Sequence, residues 1–193
     1  MKELLIAKIE EYISLCDADI QFIDSLFKHT KFRPNQIIHQ EGVVCNNLWF
    51  IAKGLVRYTS NINGEDRTFI FRNEGDFIGD IEGFINRVPA TKSIVTIEEC
   101  LLYAISKKDL QVFYQKVTHG ERFGRLLVEN IFAAAVNHLV SFYTESPEQR
   151  YIKLIKQNKD FIQRIPQYHI ASFLGIKPQS LCRIKKRLLS ADL

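Results

Sequence analysis

Residues 48–80 read LWFIAKGLVRYTSNINGEDRTFIFRNEGDFIGD. Short runs of aromatic and β-branched residues alternate here with turn residues, and none keeps helical spacing. Asn63-Gly64 is the strongest turn signal, because a two-residue type I′ hairpin loop needs positive φ at both central positions. Gly75-Asp76 marks a second turn. The same texture extends outward from Lys31 to about Ile105, as QIIH, NLWFIAKG, LVRYTSN, RTFIFR, DFIGD, KSIVTIEE and CLLYAIS. Pro34-Asn35 and Glu41-Gly42 punctuate it further. Strands this short and this closely spaced predict an antiparallel barrel or jelly roll.

The flanks read as helices. Residues 1–28 give two short ones, with Leu5, Ile9, Tyr12 and Ile13 on one face and Ile20, Ile23, Leu26 and Phe27 on the other's. Cys16-Asp-Ala-Asp19 between them offers aspartate N-caps. After the strands, helical spacing returns at Lys107–Gln115, and Thr118-His-Gly-Glu121 has the form of a capping box. Behind it, residues 123–143 (FGRLLVENIFAAAVNHLVSFY) are apolar around most of the helix circumference. Such a helix must be buried on more than one side. One side can rest on the strands; a second copy of the same helix is the simplest cover for the other. Leu127, Ile131, Ala134, Ala135 and His138 are the expected dimer contacts, the alanines allowing close approach. A hinge is expected at Thr144-Glu145. Ser146-Pro-Glu-Gln149 then opens a further helix with a capping box and proline at its first position.

The formal net charge is +4, and it is unevenly placed. Residues 150–193 hold ten Lys/Arg against two acids, whereas residues 1–149 hold sixteen against twenty. A basic end on an acidic body suits a polyanion. In that end Pro166 starts one helix, Gly175 fits a left-handed C-terminal cap, and Pro178 starts another. Leu181, Ile184, Leu188 and Leu189 are expected to face inward. Helix, glycine turn, helix is the helix-turn-helix pattern. On its second helix Gln179, Ser180, Arg183 and Arg187 lie away from Leu181 and Ile184. Gln and Arg form paired hydrogen bonds to purine edges in the major groove. Lys177, Ser180, Lys185 and Lys186 suit phosphates.

Cys16, Cys45, Cys100 and Cys182 form no CxxC or Cys/His cluster, and read as reduced thiols of a cytoplasmic protein. No secretory signal or membrane span is expected. A metal-dependent jelly-roll enzyme needs clustered histidines, but His29, His39, His119, His138 and His169 form no HxH pattern. No catalytic set stands out, so no enzyme is expected.

Two stretches now carry a resemblance. Residues 48–80 have an aromatic strand, a Lys53-Gly54 step, a Gly64-Glu65 hairpin and the run GDFIG at 75–79; the other is IPQYHIASFLGIKPQSLCRIKKRL. In these, and in the order of its parts, the sequence resembles the CRP/FNR transcription regulators. The resemblance implies an α+β fold: an N-terminal double-stranded β-helix (jelly roll) with N-terminal helices over 1–117, a dimerisation helix over 118–144, and a helix-turn-helix module over 145–193. It implies a homodimeric DNA-binding regulator that senses a small ligand in the roll. The alternative is a ligand- or partner-binding module that no longer reads DNA specifically.

The resemblance also implies a ligand set of Gly79, Asp80, Ile81, Thr91, Lys92 and Ser93. In the family's nucleotide binders a glycine amide and an arginine hold the phosphate, and a glutamate takes the ribose hydroxyl. Here Asp80 is a shorter acid, and Ala90-Thr-Lys-Ser93 holds no arginine; Lys92 lacks a planar fork. Arg87 lies earlier in the chain. AAAVN at 133–137 replaces hydroxyl residues that would receive the base. These departures disfavour a cyclic nucleotide, and no other cofactor is called for. No cysteine cluster supports an iron–sulfur centre. Only Ser190–Leu193 follow the last helix, so no β-hairpin wing is expected; Lys177 and Pro178 stand where relatives carry polar residues, leaving specificity to Gln179 and Arg183.

Overall fold

The computed structural model describes residues 2–191; the side chains of Leu189 and Ala191 lie outside that description, and with them the expected packing of Leu189. Helices α1 (Lys2–Glu10) and α2 (Asp17–Leu26) lead into the strands. These are β1 (Lys28–Phe32), β2 (Ile37–His39), β3 (Asn47–Lys53), β4 (Val56–Ile62), β5 (Glu65–Arg72), β6 (Phe77–Ile78), β7 (Ser93–Thr96) and β8 (Cys100–Ser106). Helix α3 (Ile81–Asn86) interrupts them after β6. Then follow α4 (Lys107–Lys116), α5 (Gly120–Thr144), α6 (Pro147–Gln157), α7 (Phe161–Arg164), α8 (Gln167–Leu174) and α9 (Pro178–Ala191).

The strands form two antiparallel four-stranded sheets, ordered β1-β8-β3-β6 and β2-β7-β4-β5. Between them Trp49, Ile51, Val56, Tyr58, Ile94 and Leu102 form the roll's interior. Alternation sends Phe50, Tyr103 and Ile105 to the opposite face of the first sheet. There they meet Leu5, Ile9, Ile23, Phe113 and Phe123 of the surrounding helices. Burial on both faces accounts for the unbroken apolar run in β3. A third core lies beyond the second sheet, where Leu55 and Phe71 join Tyr151, Phe161, Ile165, Ile170 and Leu174. The chain is therefore layered as helices, sheet, roll interior, sheet and terminal helices.

The turns follow their residues. Asn63 and Gly64 have φ of 55° and 85°, joining β4 to β5 as a type I′ loop. Gly54 sits at φ +103°, and a Cβ there would lie 2.5 Å from Cys100 Sγ and 2.6 Å from the Glu99 carbonyl. Close approach of β8 thus requires glycine after Lys53.

Three local expectations are corrected. β1 (KHTKF) was not among the expected strands: no position of it is fully buried, so it shows no alternation. It is a sheet edge, where charge discourages further pairing. The capping box at Thr118 does not form. His119 is the N-cap of α5, at φ 61° and without a side-chain cap bond. The Thr118 N–H instead donates to Asp19 Oδ1 of α2 at 2.9 Å. At α2 the N-cap is Cys16 rather than an aspartate, and Asp19 accepts its N–H from inside the first turn at 3.2 Å.

Candidate nucleic-acid interface and effector cradle

α8 and α9 form the helical pair expected at the end of the chain. Gly175 adopts φ 71°, its N–H reaching the Ser172 carbonyl while Ile176 N–H reaches Ala171, both at 3.0 Å. This closes α8 in a Schellman arrangement and turns the chain sharply. Leu181 and Ile184 then pack on Ile170, Ala171 and Leu174. That packing leaves the opposite ridge of α9 outward. Gln179, Arg183 and Lys186, spaced four and three apart, are all exposed, as is Lys177 before the helix. Arg187 is exposed too but pairs with Glu148 of α6. Ser180 is half-buried. Lys185 lies on another side, half-buried, with its ammonium 3.2 Å from Gln167 Oε1. Of the seven basic and polar residues expected to meet DNA, three form one continuous ridge.

α5 has two distinct sides. Leu127, Ile131 and His138 are half-buried, and Phe123 and Ser141 are buried. Leu127 joins the core around Phe50 and Phe113, and His138 packs on Phe173 of α8, ring centroids 5.5 Å apart. Ala134 shares their helical phase but is exposed. The other side carries Val128, Phe132, Ala135, Leu139 and Phe142, all exposed; Phe132 is 69 % accessible. Their spacing of 4-3-4-3 is the seam of a coiled coil. By length and composition alone α5 is also apolar enough to cross a membrane, with a mean hydropathy of 1.3.

The six residues of the implied ligand set surround the start of α3 and the loop before β7. Gly79 N–H donates to the Tyr58 hydroxyl at 2.9 Å, and that hydroxyl donates to the Gly79 carbonyl at 3.3 Å. Burial pushes the Tyr58 phenol up to about 12, so it stays protonated. Asp80 is buried. Its Oδ2 caps α3 by accepting Gly83 N–H at 2.9 Å, and its Oδ1 pairs with the Lys92 ammonium. His39 and Cys45 are buried beside them, and burial lowers the one and raises the other. Ser93 Oγ accepts Glu41 N–H at 2.9 Å, and the Thr91 carbonyl accepts from Ser60 at 2.9 Å. Ile81 is exposed. Arg87 is held by the Cys45 carbonyl and Asn46 Oδ1, at 3.2 and 2.8 Å. Among the described residues no group of three or more His, Cys, Asp or Glu is placed to hold a metal ion.

One cluster went unseen in the sequence. Arg164 of α7 binds Glu74, Glu98 and Asp160, with Nη2 to Glu74 Oε1 at 2.8 Å. Glu98 above all, then Glu74 and Asp160, hold its pKa above the ordinary value. Its carboxylate partners in the roll lie 66 and 90 residues away along the chain, beyond the reach of any local pattern.

Residues 29–117, a jelly roll with a short helix at its capped acid, match the profile of the cyclic nucleotide-binding domain. Over these residues the chain is similar to the cyclic nucleotide-binding domain. No curated protein matches the chain in sequence. Solved structures resemble it along most of its length. The c-di-GMP responsive global regulator CLP of Xanthomonas campestris is 16 % identical, with a TM-score of 0.66 over 92 % of this chain and 94 % of that one. FixK2 of Bradyrhizobium japonicum is 12 % identical, with a TM-score of 0.73 over 86 % of each. The catabolite activator protein of Thermus thermophilus is 18 % identical, with a TM-score of 0.56 over 96 % and 88 %. The chain thus shares the CRP/FNR fold, including the long helix and the terminal pair.

The roll does not offer an open cradle for a cyclic phosphodiester. Its amide donor, its acid and its cation are each engaged within the chain, at Tyr58, Gly83 and Asp80. A phosphate would have to displace the Asp80 carboxylate from Lys92, and a ribose hydroxyl would have to take a carboxylate already serving as a helix cap.

Proposed function

We propose that the chain is a homodimeric, DNA-binding transcription regulator of the CRP/FNR type, responding to a small effector other than a cyclic nucleotide held in the usual manner. The ridge Gln179-Arg183-Lys186 carries this reading. It combines groups that pair with purine edges and phosphates on the second helix of a helix-turn-helix, on the most basic part of the chain. The seam of α5 supports the homodimer. Two copies bring eight large apolar side chains to it, each still 41–69 % exposed in the single chain, and pairing would remove much of that area from water. Pairing would set two α9 helices into successive major grooves about 34 Å apart.

Selection from random duplexes tests the reading. A near-palindromic site with half-sites one helical turn apart is the expected outcome. No enrichment at moderate salt would overturn it and leave the partner-binding alternative.

A further inference from the structure

The terminal helices are seated on the roll, not only tethered to it. The seat is β5, the edge strand of the second sheet. Its register slips between Tyr58 and Thr59: Tyr58 faces Ile70, Thr59 faces Thr68, and Phe69 is left over as a bulge. A bulge bends the strand and frees backbone groups from the ladder. The Thr68 N–H donates to Ser172 Oγ of α8 at 2.9 Å. The Phe69 carbonyl lies by the His138 ring of α5. Phe173 of α8 packs between them, 5.3 Å from the Phe71 ring and 5.5 Å from His138. Below the strand, Arg164 clamps Glu74, which itself accepts Gly54 N–H at 2.7 Å, and Glu98 before β8. A forked, partly buried guanidinium on two carboxylates is far more directional than an exposed ion pair. While seated in this way, α9 still presents Gln179, Arg183 and Lys186 to solvent. The contact therefore aims the reading helix and does not cover it.

We propose that Arg164, Ser172 and Phe173 are positioning residues for DNA recognition. Through them the bulged strand fixes the angle of α9, so that the roll sets the separation of the two reading helices. The short joint Glu145-Ser146 after α5 does not set it alone. This inference rests on the DNA-reading function proposed above.

The test compares the full-length protein with Arg164→Gln, Ser172→Ala and Phe173→Ala on the selected duplex. Further duplexes have their half-sites moved one or two base pairs closer or further apart. The wild type should lose about 100–10,000-fold in affinity when displaced half-sites forbid simultaneous engagement. The variants should show a loss several-fold smaller, with unchanged affinity for an isolated half-site. Hydrogen exchange over residues 65–72 gives a DNA-independent reading. It should quicken at the Thr68 amide in Ser172→Ala, a change too small to threaten folding. Unchanged exchange, or quickened exchange with wild-type spacing preference in all three variants, overturns the positioning role alone. A wild type that selects no duplex overturns the DNA reading itself, and the positioning role with it.

Discussion

Arg183 stands mid-ridge on α9, four residues after Gln179, where a guanidinium can fork onto guanine. Arg183→Ala should raise the Kd for the selected site by the equivalent of about 1–3 kcal/mol and hardly alter binding to random duplex. Lys186→Ala should weaken every sequence alike and flatten the salt dependence by about one unit of slope. Fluorescence anisotropy across a salt series separates the two. His169 makes a different prediction. Burial, then the Arg57 charge, hold its imidazole down to about 4 against the pull of Asp66, and Thr68 Oγ1 lies 3.4 Å away. The unfolded chain would protonate it near 6.5. Between those values the unfolded state binds more protons, so the stability present above pH 6.5 is lost as pH falls toward 4. The melting temperature should decline across that window, less steeply in His169→Gln; His39 and His138, also lowered by burial, retain part of the slope. An equal slope in the variant would remove His169 from the account. Gln179 and Arg183 were legible in the sequence because helical phase relative to Leu181 and Ile184 places them. Arg164 and Ser172 were not, because their meaning lies in partners on other elements.

For α5 the sequence revealed burial on two sides but not which side faces which neighbour. A helix apolar nearly all round has no phase to read. Leu127, Ile131 and His138 turn toward their own chain, whereas Phe132 and Leu139 lie on the exposed seam. Phe132→Glu with Leu139→Glu should therefore give a folded monomer in sedimentation, with little affinity for the selected site. Leu127→Ala should instead lower the melting temperature, costing about 2–5 kcal/mol if its site behaves as core. A tight dimer of the double glutamate variant would move the interface elsewhere. Other elements divide in the same way. The hairpin at Asn63-Gly64 and the capping box Ser146–Gln149 were written locally, and both form, with Gln149 N–H 3.2 Å from Ser146 Oγ. β1 and the true start of α5 depend on what lies opposite, β8 in one case and Asp19 in the other.

At the scale of the molecule, the order of layers follows from three apolar patterns in sequence, and the charge split predicted which end is basic. The closed cradle was half legible: the missing arginine could be read, the Asp80–Lys92 pair and the Tyr58–Gly79 bonds could not. A ligand at a hundred times its Kd stabilises the fold that binds it by about 2.7 kcal/mol, enough to move a melting temperature by several degrees. Millimolar cyclic AMP or cyclic GMP should leave the melting temperature unchanged within about one degree on this reasoning. A saturable rise would mean that Asp80 yields Lys92 to phosphate.

The seating of α8 on β5 carries a hazard for anyone who cuts the protein. A fragment ending near Thr144 would bare Leu55 and Phe71, both now buried, beside a strand whose outer backbone has lost its cover. Such a margin invites other chains to add themselves strand by strand. The roll made alone should self-associate and precipitate, and a charged residue in place of Phe71 should help keep it in solution.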